Sequence, residues 1–263
     1  MGEKRGRDSD GSGSSDEGST SDGSLGSNEI VNVDFEFFDP MEIDFHAMKR
    51  LLQAAFGDDA DMFDVSGLVD LVISQRAIGS TVKMDGDADP YAFLSVVDYH
   101  AQHACVAQMR QYLDKKAGRR AAELAGLLQG RRVGWLLSER VINMPPQVVV
   151  PMLRMLLEET KRTPGFDFEY FVLVCPMYRE VAAEDADEDE KALDVDAYAH
   201  AEDEFIEEFA CLKFDYRFSQ LRRVADARNS FGDAGLAPSR RCLVLPRAQM
   251  GAVVARLEEV LEL

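Results

Sequence analysis

FDFEYFVLVCPM, Phe166 to Met177, decides the fold: Phe, Tyr and Val fill it, and these side chains suit the pleated surface of a strand. It reads as the central strand. Pro164 and Gly165 end the helix before it, Gln147 to Lys161, whose Val149, Met152, Leu153, Leu156 and Leu157 form an inward stripe. Pro145 and Pro146 start that helix, and Val133 to Leu137 ahead of them is a buried-strand candidate. Further back, His100 to Leu128 reads as helix broken near Gly118, and Tyr91 to Val97 as an apolar strand. Ser80 to Met84 joins that strand in a hairpin punctuated by Asp85, Gly86 and Asp87. Gly79 terminates a helix suggested by Leu68, Val69, Leu71, Val72 and Ile73. At the start, Val31, Val33, Phe35 and Phe37 alternate with Asn32, Asp34, Glu36 and Phe38 as a half-buried strand. Asp39 and Pro40 then open a helix from Met41 to Phe56 with Met48, Leu51, Leu52 and Ala55 inward. Downstream, Ala201 to Phe218 is helix giving way to strand, and Cys242 to Leu245 is strand-like. Pro246 and Arg247 open a last helix through Val253, Val254, Leu257, Val260 and Leu261. Strands interleaved with helices, plus one hairpin, predict an α/β (α+β) chain: a mixed sheet flanked by helices.

Charge is distributed unevenly over the 263 residues. Between Glu184 and Glu208 thirteen acids face a single base, Lys191, so this stretch carries twelve of the nineteen net negative charges. A block of like charge repels itself and resists burial, so an acidic insertion at about 180–204 is expected to be a solvated loop or an interaction arm. Its natural partners are basic, and nucleic-acid phosphate is repelled. Residues 1–29 are expected to be a tail, since Met1 to Ser27 is Gly, Ser, Asp and Glu without an aromatic. Residues 30–263 then form a single domain. Lys4, Arg5 and Arg7 are sparse for a nuclear signal and read equally as tail solubility. Ser9, Ser14 and Ser15 stand beside acids, a setting that suits an acid-directed kinase. No run approaches the ~18 apolar residues of a membrane span, and no signal-peptide core opens the chain, so a soluble intracellular protein is expected. Cys105, Cys175, Cys211 and Cys242 are widely spaced and read as reduced, mostly buried thiols.

Catalytic motifs are thin. His100 and His103 could face one metal if they shared a helix, but a lone His-x-x-His is more often a helix surface. Arg76-Ala77-Ile78-Gly79-Ser80 comes near the loop with which GNAT-type acetyltransferases cradle a pyrophosphate, yet Thr81 stands where Gly or Ala belongs. That segment also leads from a helix into a strand, which leaves no helix N-terminus aimed at phosphate. Ser138 lacks the flanking glycines of an exposed nucleophile. Arg110 to Arg132 holds seven Lys or Arg residues, the main basic surface, but only Tyr112 interleaves, so a solvated helix face is favoured over an RNA site. Met144-Pro145-Pro146-Gln147 reads as strand-to-helix punctuation before it reads as a recognition loop.

Four segments together resemble the BCCIP family of eukaryotic nuclear proteins: FEFFDPMEIDFHAMKRLL (Phe35 to Leu52), GLVDLVISQRAIGSTVK (Gly67 to Lys83), LLSERVINMPPQ (Leu136 to Gln147) and AEDEFIEEFACLKFDY (Ala201 to Tyr216). The stretch ending in Pro-Pro is the most specific, because generic patterning would not dictate its residues. The resemblance implies a GNAT-like fold without a working acetyl-coenzyme A loop, and hence a non-enzyme with no catalytic, cofactor or metal residues to carry over. It further implies nuclear residence, with nuclear export and chaperoning of a basic large-subunit ribosomal protein in fungi. In animals it implies binding to a DNA-repair mediator and a cyclin-dependent-kinase inhibitor.

The leading expectation is a nuclear chaperone and escort for a basic ribosomal protein in large-subunit biogenesis, shuttling to the cytoplasm, with monomer favoured. Glu184, Asp185, Asp187, Glu188, Asp189 and Glu190 would mask the client's charge, and Phe38, Met144 and Pro145 would offer an apolar docking surface. The alternative is a scaffold in DNA repair and cell-cycle control whose partners bind with modest salt dependence.

Overall fold

The computed structural model describes residues 34–84, 88–180, 196–219 and 236–262. The decisive stretch forms β5, Tyr170–Glu180, which starts later than Phe166 and runs beyond Met177. Phe166 and Phe168 are apolar for another reason. They stack edge to face at 5.6 Å, and Phe168 in turn meets Phe171 at 6.0 Å, plugging the core below the strand.

The other strands are β1 (Phe35–Phe38), β2 (Ser80–Met84), β3 (Ala92–Asp98), β4 (Val133–Arg140), β6 (Asp196–Tyr198), β7 (Leu212–Arg217) and β8 (Leu236–Pro246). Helices are α1 (Phe45–Phe56), α2 (Val65–Ser74), α3 (Ala104–Ala117), α4 (Ala121–Leu128), α5 (Val149–Arg162), α6 (Ala201–Glu207) and α7 (Met250–Val260). The sheet runs β1-β2-β3-β4-β5-β8-β7, with β6 added to β5. Every pairing is antiparallel except β4 with β5. It is the mixed sheet flanked by helices that the alternation of elements implies.

Side chains alternate across a strand, so an apolar run without alternation must be buried twice. In β5, Val172 and Val174 enter one core with Met48, Leu52, Val69 and Met109 of α1 to α3. Phe171, Leu173 and Cys175 enter a second core with Leu153 of α5 and Leu257 of α7. β8 does the same with Val244 on one face and Leu243 on the other. At Gly134 of β4 there is no room for a side chain: a Cβ would lie 2.5 Å from Val96 Cγ2 and 2.8 Å from Phe168.

Several local expectations change. Asp39 does not cap the first helix; Asp44 accepts from the Met41 N–H at 2.9 Å across a single 3-10 turn, Glu42–Asp44. α2 ends at Ser74, before Gly79, and Gly79 instead enters β2 with φ +103°, a conformation that favours glycine. β8 is far longer than Cys242 to Leu245, because Pro238 to Arg241 carry no apolar alternation and are drawn into the strand by backbone pairing with its neighbours. Val31, Val33 and the hairpin turn Asp85 to Asp87 lie outside the described residues. Gly134→Ala should cost about 1–3 kcal/mol by overpacking, seen as a lower urea midpoint with an unchanged m-value; a neutral result would show that Val96 and Phe168 yield.

Candidate functional site

β4 and β5 are bonded only from Val133↔Tyr170 to Leu136↔Leu173. Beyond that point β4 keeps β3 and β5 keeps β8 as neighbours, and β6 takes the other edge of β5 at Met177↔Tyr198 and Arg179↔Asp196. A parallel pair that parts exposes backbone and side chains between its strands, and here charged groups fill the wedge. Arg140 lays its fork on Glu202, Nε to Oε1 and Nη2 to Oε2 both at 2.8 Å, while Nη1 donates to the Met144 carbonyl at 2.7 Å. His200 Nε2 stands 3.5 Å from Glu139 Oε2. Asp203 reaches the Cys175 thiol, and Arg240 of β8 donates to the carbonyls of Ala54 and Ala55, closing the end of α1.

Burial sets the protonation of this wedge. Desolvation raises Glu139, opposed by His200. Desolvation also lifts Asp203 to about 7, His200 opposing and Glu202 and Glu139 adding to it. Burial pulls His200 down, but the Glu139 hydrogen bond and the carboxylates of Glu139, Asp203 and Glu202 outweigh it and leave the imidazole raised. Beside the wedge opens a cleft of about 530 Å³ walled by Leu51, Tyr91, Ile142, Pro176, Tyr178 and His200, a volume in the range of ligand pockets.

The acidic block divides at Asp196. Glu184, Asp185, Asp187, Glu188, Asp189 and Glu190 lie outside the described residues. Their flanks are fixed: Arg179 holds Asp196 through two hydrogen bonds of 2.7 and 3.0 Å, so this stretch leaves and re-enters the fold at paired strands beside Tyr178. The second half is not the solvated arm expected. Glu202 and Asp203 are buried, and Glu207, despite a burial penalty, is held down at about 2 by Lys213, Tyr198 and Arg241. Bases placed elsewhere in the sequence accommodate Glu202 and Glu207, which a local charge count cannot reveal.

Of the expected docking residues, Phe38 is exposed on β1 and Pro145 is exposed after β4, but Met144 is only 4% exposed and belongs to the core. Its neighbours Val141 and Ile142 carry the exposure instead. His100 and His103 precede α3, and among the described residues no group of three or more His, Cys, Asp or Glu could hold a metal. The Arg76 to Thr81 segment leads from α2 into β2, and the Gly79 N–H that a phosphate would need donates to Glu159 Oε2 at 2.7 Å. The basic run is largely occupied: Lys116, half-buried, pairs with Asp59 at 2.5 Å, and Arg120, Arg131 and Arg132 pair with Glu123, Glu169 and Asp167. Cys105, Cys175 and Cys242 are buried free thiols and Cys211 is exposed. The wedge itself left a signal: Glu139-Arg140 ends an otherwise apolar strand, and Glu202-Asp203 sits at a helix start.

A mostly antiparallel sheet with helices on both faces, opened at one parallel pair, defines an α/β protein built on a mixed sheet. The sequence profile of the BCCIP family matches residues 30–206, and the chain belongs to that family. It is 36% identical over 256 residues to protein bcp1 of Schizosaccharomyces pombe, covering 88% of this chain and 91% of that one. Protein BCP1 of Debaryomyces hansenii is 32% identical over 267 residues, covering 88% and 87%. The crystal structure of BCP1 from Saccharomyces cerevisiae superposes with TM-score 0.65 at 28% identity, covering 93% of this chain and 96% of that one.

Removing one partner of a buried ion pair costs about 3–5 kcal/mol, whereas replacing both with apolar groups is near neutral. Arg140→Met is therefore expected to lose roughly that much in urea unfolding, and Arg140→Met with Glu202→Leu to recover most of it; equal losses would mean that the pair is not the source. Glu139, Asp203 and His200 all bind protons more tightly folded than unfolded. Asp203 keeps its proton up to about 7 in the fold against 3.8 without it, so its contribution falls as pH rises between those values. That of His200 is complete below its unfolded value of 6.5 and is lost as pH rises through the raised one. The urea midpoint should fall from about pH 5 to pH 8, and Asp203→Asn should flatten the lower part of that decline.

Proposed function

We propose that this chain is a non-enzymatic nuclear binding protein that holds a basic ribosomal protein during large-subunit assembly and escorts it through nuclear export. The observation that carries this reading is the concentration of negative charge between two fixed points: Glu184 to Glu190 contain six acids, flanked by β5 and by the Arg179–Asp196 ion pair. A basic protein outside the ribosome needs its charge masked, and carboxylates compete for it as rRNA phosphate does. Membership of the BCCIP family supports the same reading, since the family resemblance implies chaperoning and export. Acyl transfer is disfavoured because a carboxylate, Glu159, occupies the backbone donor at Gly79.

Two measurements test it. Affinity purification of the intact protein, and of a version with those six acids changed to Gln or Asn, should recover a basic ribosomal protein without rRNA in the first and markedly less in the second, the gap closing as salt rises. Partners of DNA repair or cell-cycle control, retained equally by both, would replace this reading with the scaffold. Calorimetric titration with acetyl-coenzyme A should give no saturable heat, and a saturable isotherm would reopen an enzymatic role.

A further inference from the structure

Apart from Met62, the large apolar side chains that stay in water among the described residues stand at two places on this fold. One is the cleft rim, Val141 and Ile142. The other is the short connection from β1 into α1, where Phe38, Met41 and Ile43 are 37%, 46% and 61% exposed. Met41 and Ile43 line a groove of about 880 Å³ that begins at Asp39, next to Phe38 in the chain, and continues to Ile73 and Arg76 at the end of α2. Exposed apolar surface costs about 25 cal/mol per Å² relative to burial, so the fold gains nothing from presenting it.

The presentation is nevertheless rigid. Asp44, fully buried, accepts from the Met41 N–H and pairs with Lys83 Nζ at 2.7 Å, and Lys83 lies 5.4 Å from the centre of the Phe38 ring. The segment between β1 and α1 is therefore fixed before anything binds, which lowers the ordering cost of an encounter. β1 ends the sheet, so its outer edge has no partner strand among the described residues.

The groove is also acidic. Asp39, Glu42 and Asp70 line it against Arg76, and none of the three carboxylates makes an ion pair with a described residue. The field is felt beyond the groove: burial first, and then the charge of Asp39, raises Glu159. These charges decide the occupant. A second copy would bring the same carboxylates onto themselves, and Met1 to Ser27 is acidic and lacks an aromatic.

We propose that this groove docks an extended segment of a basic protein in which aliphatic side chains stand between lysines or arginines. It rests on the reading of a basic client above and gives that client a second point of contact: the aliphatic side chains seat on Met41, Ile43 and Phe38, and the flanking cations meet Asp39, Glu42 and Asp70.

The test uses the full chain and two fluorescein-labelled peptides of equal charge, one alternating leucine with lysine and one alternating serine with lysine. Anisotropy should show the leucine peptide bound about tenfold more tightly, a difference of ~1.4 kcal/mol. Met41→Ser with Ile43→Ser, exposed changes that add no charge, should abolish that difference while leaving the serine peptide and the urea midpoint as in the parent. Asp39→Asn with Asp70→Asn should weaken both peptides. Unchanged leucine-peptide binding in the Met41/Ile43 variant would overturn the proposal. So would loss of that binding in Ile142→Ser, which would place the site in the cleft, or light scattering showing a dimer that the Met41/Ile43 variant dissolves. Changing the six acids between Glu184 and Glu190 separates the two readings: loss of client binding there with the leucine preference intact supports both, and no loss there with the preference intact sustains the groove alone.

Discussion

Four bonded residue pairs between β4 and β5 are the constraint on which the rest of this structure depends. Parallel strands that pair and then part leave a wedge at the centre of the sheet, and unsatisfied polar backbone there would cost several kcal/mol. The chain fills it in two ways. β6 supplies a backbone edge to β5, and the Arg140 fork on Glu202 ties the end of β4 to the start of α6. Because Arg140 also holds the Met144 carbonyl, one side chain fixes the turn into α5, the helix after it and the strand before it. Specificity of this kind is the better-attested use of a buried ion pair, whose net contribution to stability is small.

The same wedge explains why the acidic block is not one thing. Several acids after Asp196 are structural and answered by a base brought from elsewhere: Glu202 by Arg140, Glu207 by Lys213 and Arg241, Asp215 by Arg241. Desolvating a carboxylate is costly, so a buried one survives only with such a partner or with a proton. Glu202 takes the first course, while Asp203, raised to about 7, takes the second.

The sequence made the periodic elements legible and left the long-range pairings hidden. Met48, Leu51, Leu52 and Ala55 face inward as their spacing requires, and β5, β3 and α5 lie close to where apolar runs placed them. Periodicity speaks only for elements with a contrast between faces. β8 escapes because Pro238, Ser239, Arg240 and Arg241 have no strand pattern, and only pairing with β5 and β7 makes them one. Phe166 and Phe168 were drawn into a strand by composition, although they serve packing beneath it. Pro-Pro marks a loop and so reads Met144 as surface, but a loop residue can still point inward. The site was half visible: Ser-Glu-Arg and Glu-Asp stood out as charges in apolar settings, but that Arg140 would find Glu202 across 62 positions is a property of the fold.

Internal pairing also changes how the net charge should be understood. Lys83, Lys116 and Arg140 are buried or nearly so and each pairs with a buried acid, Asp44, Asp59 and Glu202, so these pairs withdraw acids and bases in equal number and the net negative charge stays with the exterior. Such an exterior accelerates encounter with a cationic partner but adds little to affinity, because exposed ion pairs contribute only about 0–1 kcal/mol each and are screened by salt. Retention must then come from apolar contact, and release from whatever outcompetes the carboxylates. A polyphosphate has higher charge density than a chain of carboxylates, so it can strip the cations of a basic partner while the apolar contacts, individually weak, let go. On that reasoning a groove that joins a few apolar side chains to only three carboxylates, Asp39, Glu42 and Asp70, can hold a cationic partner and still release it.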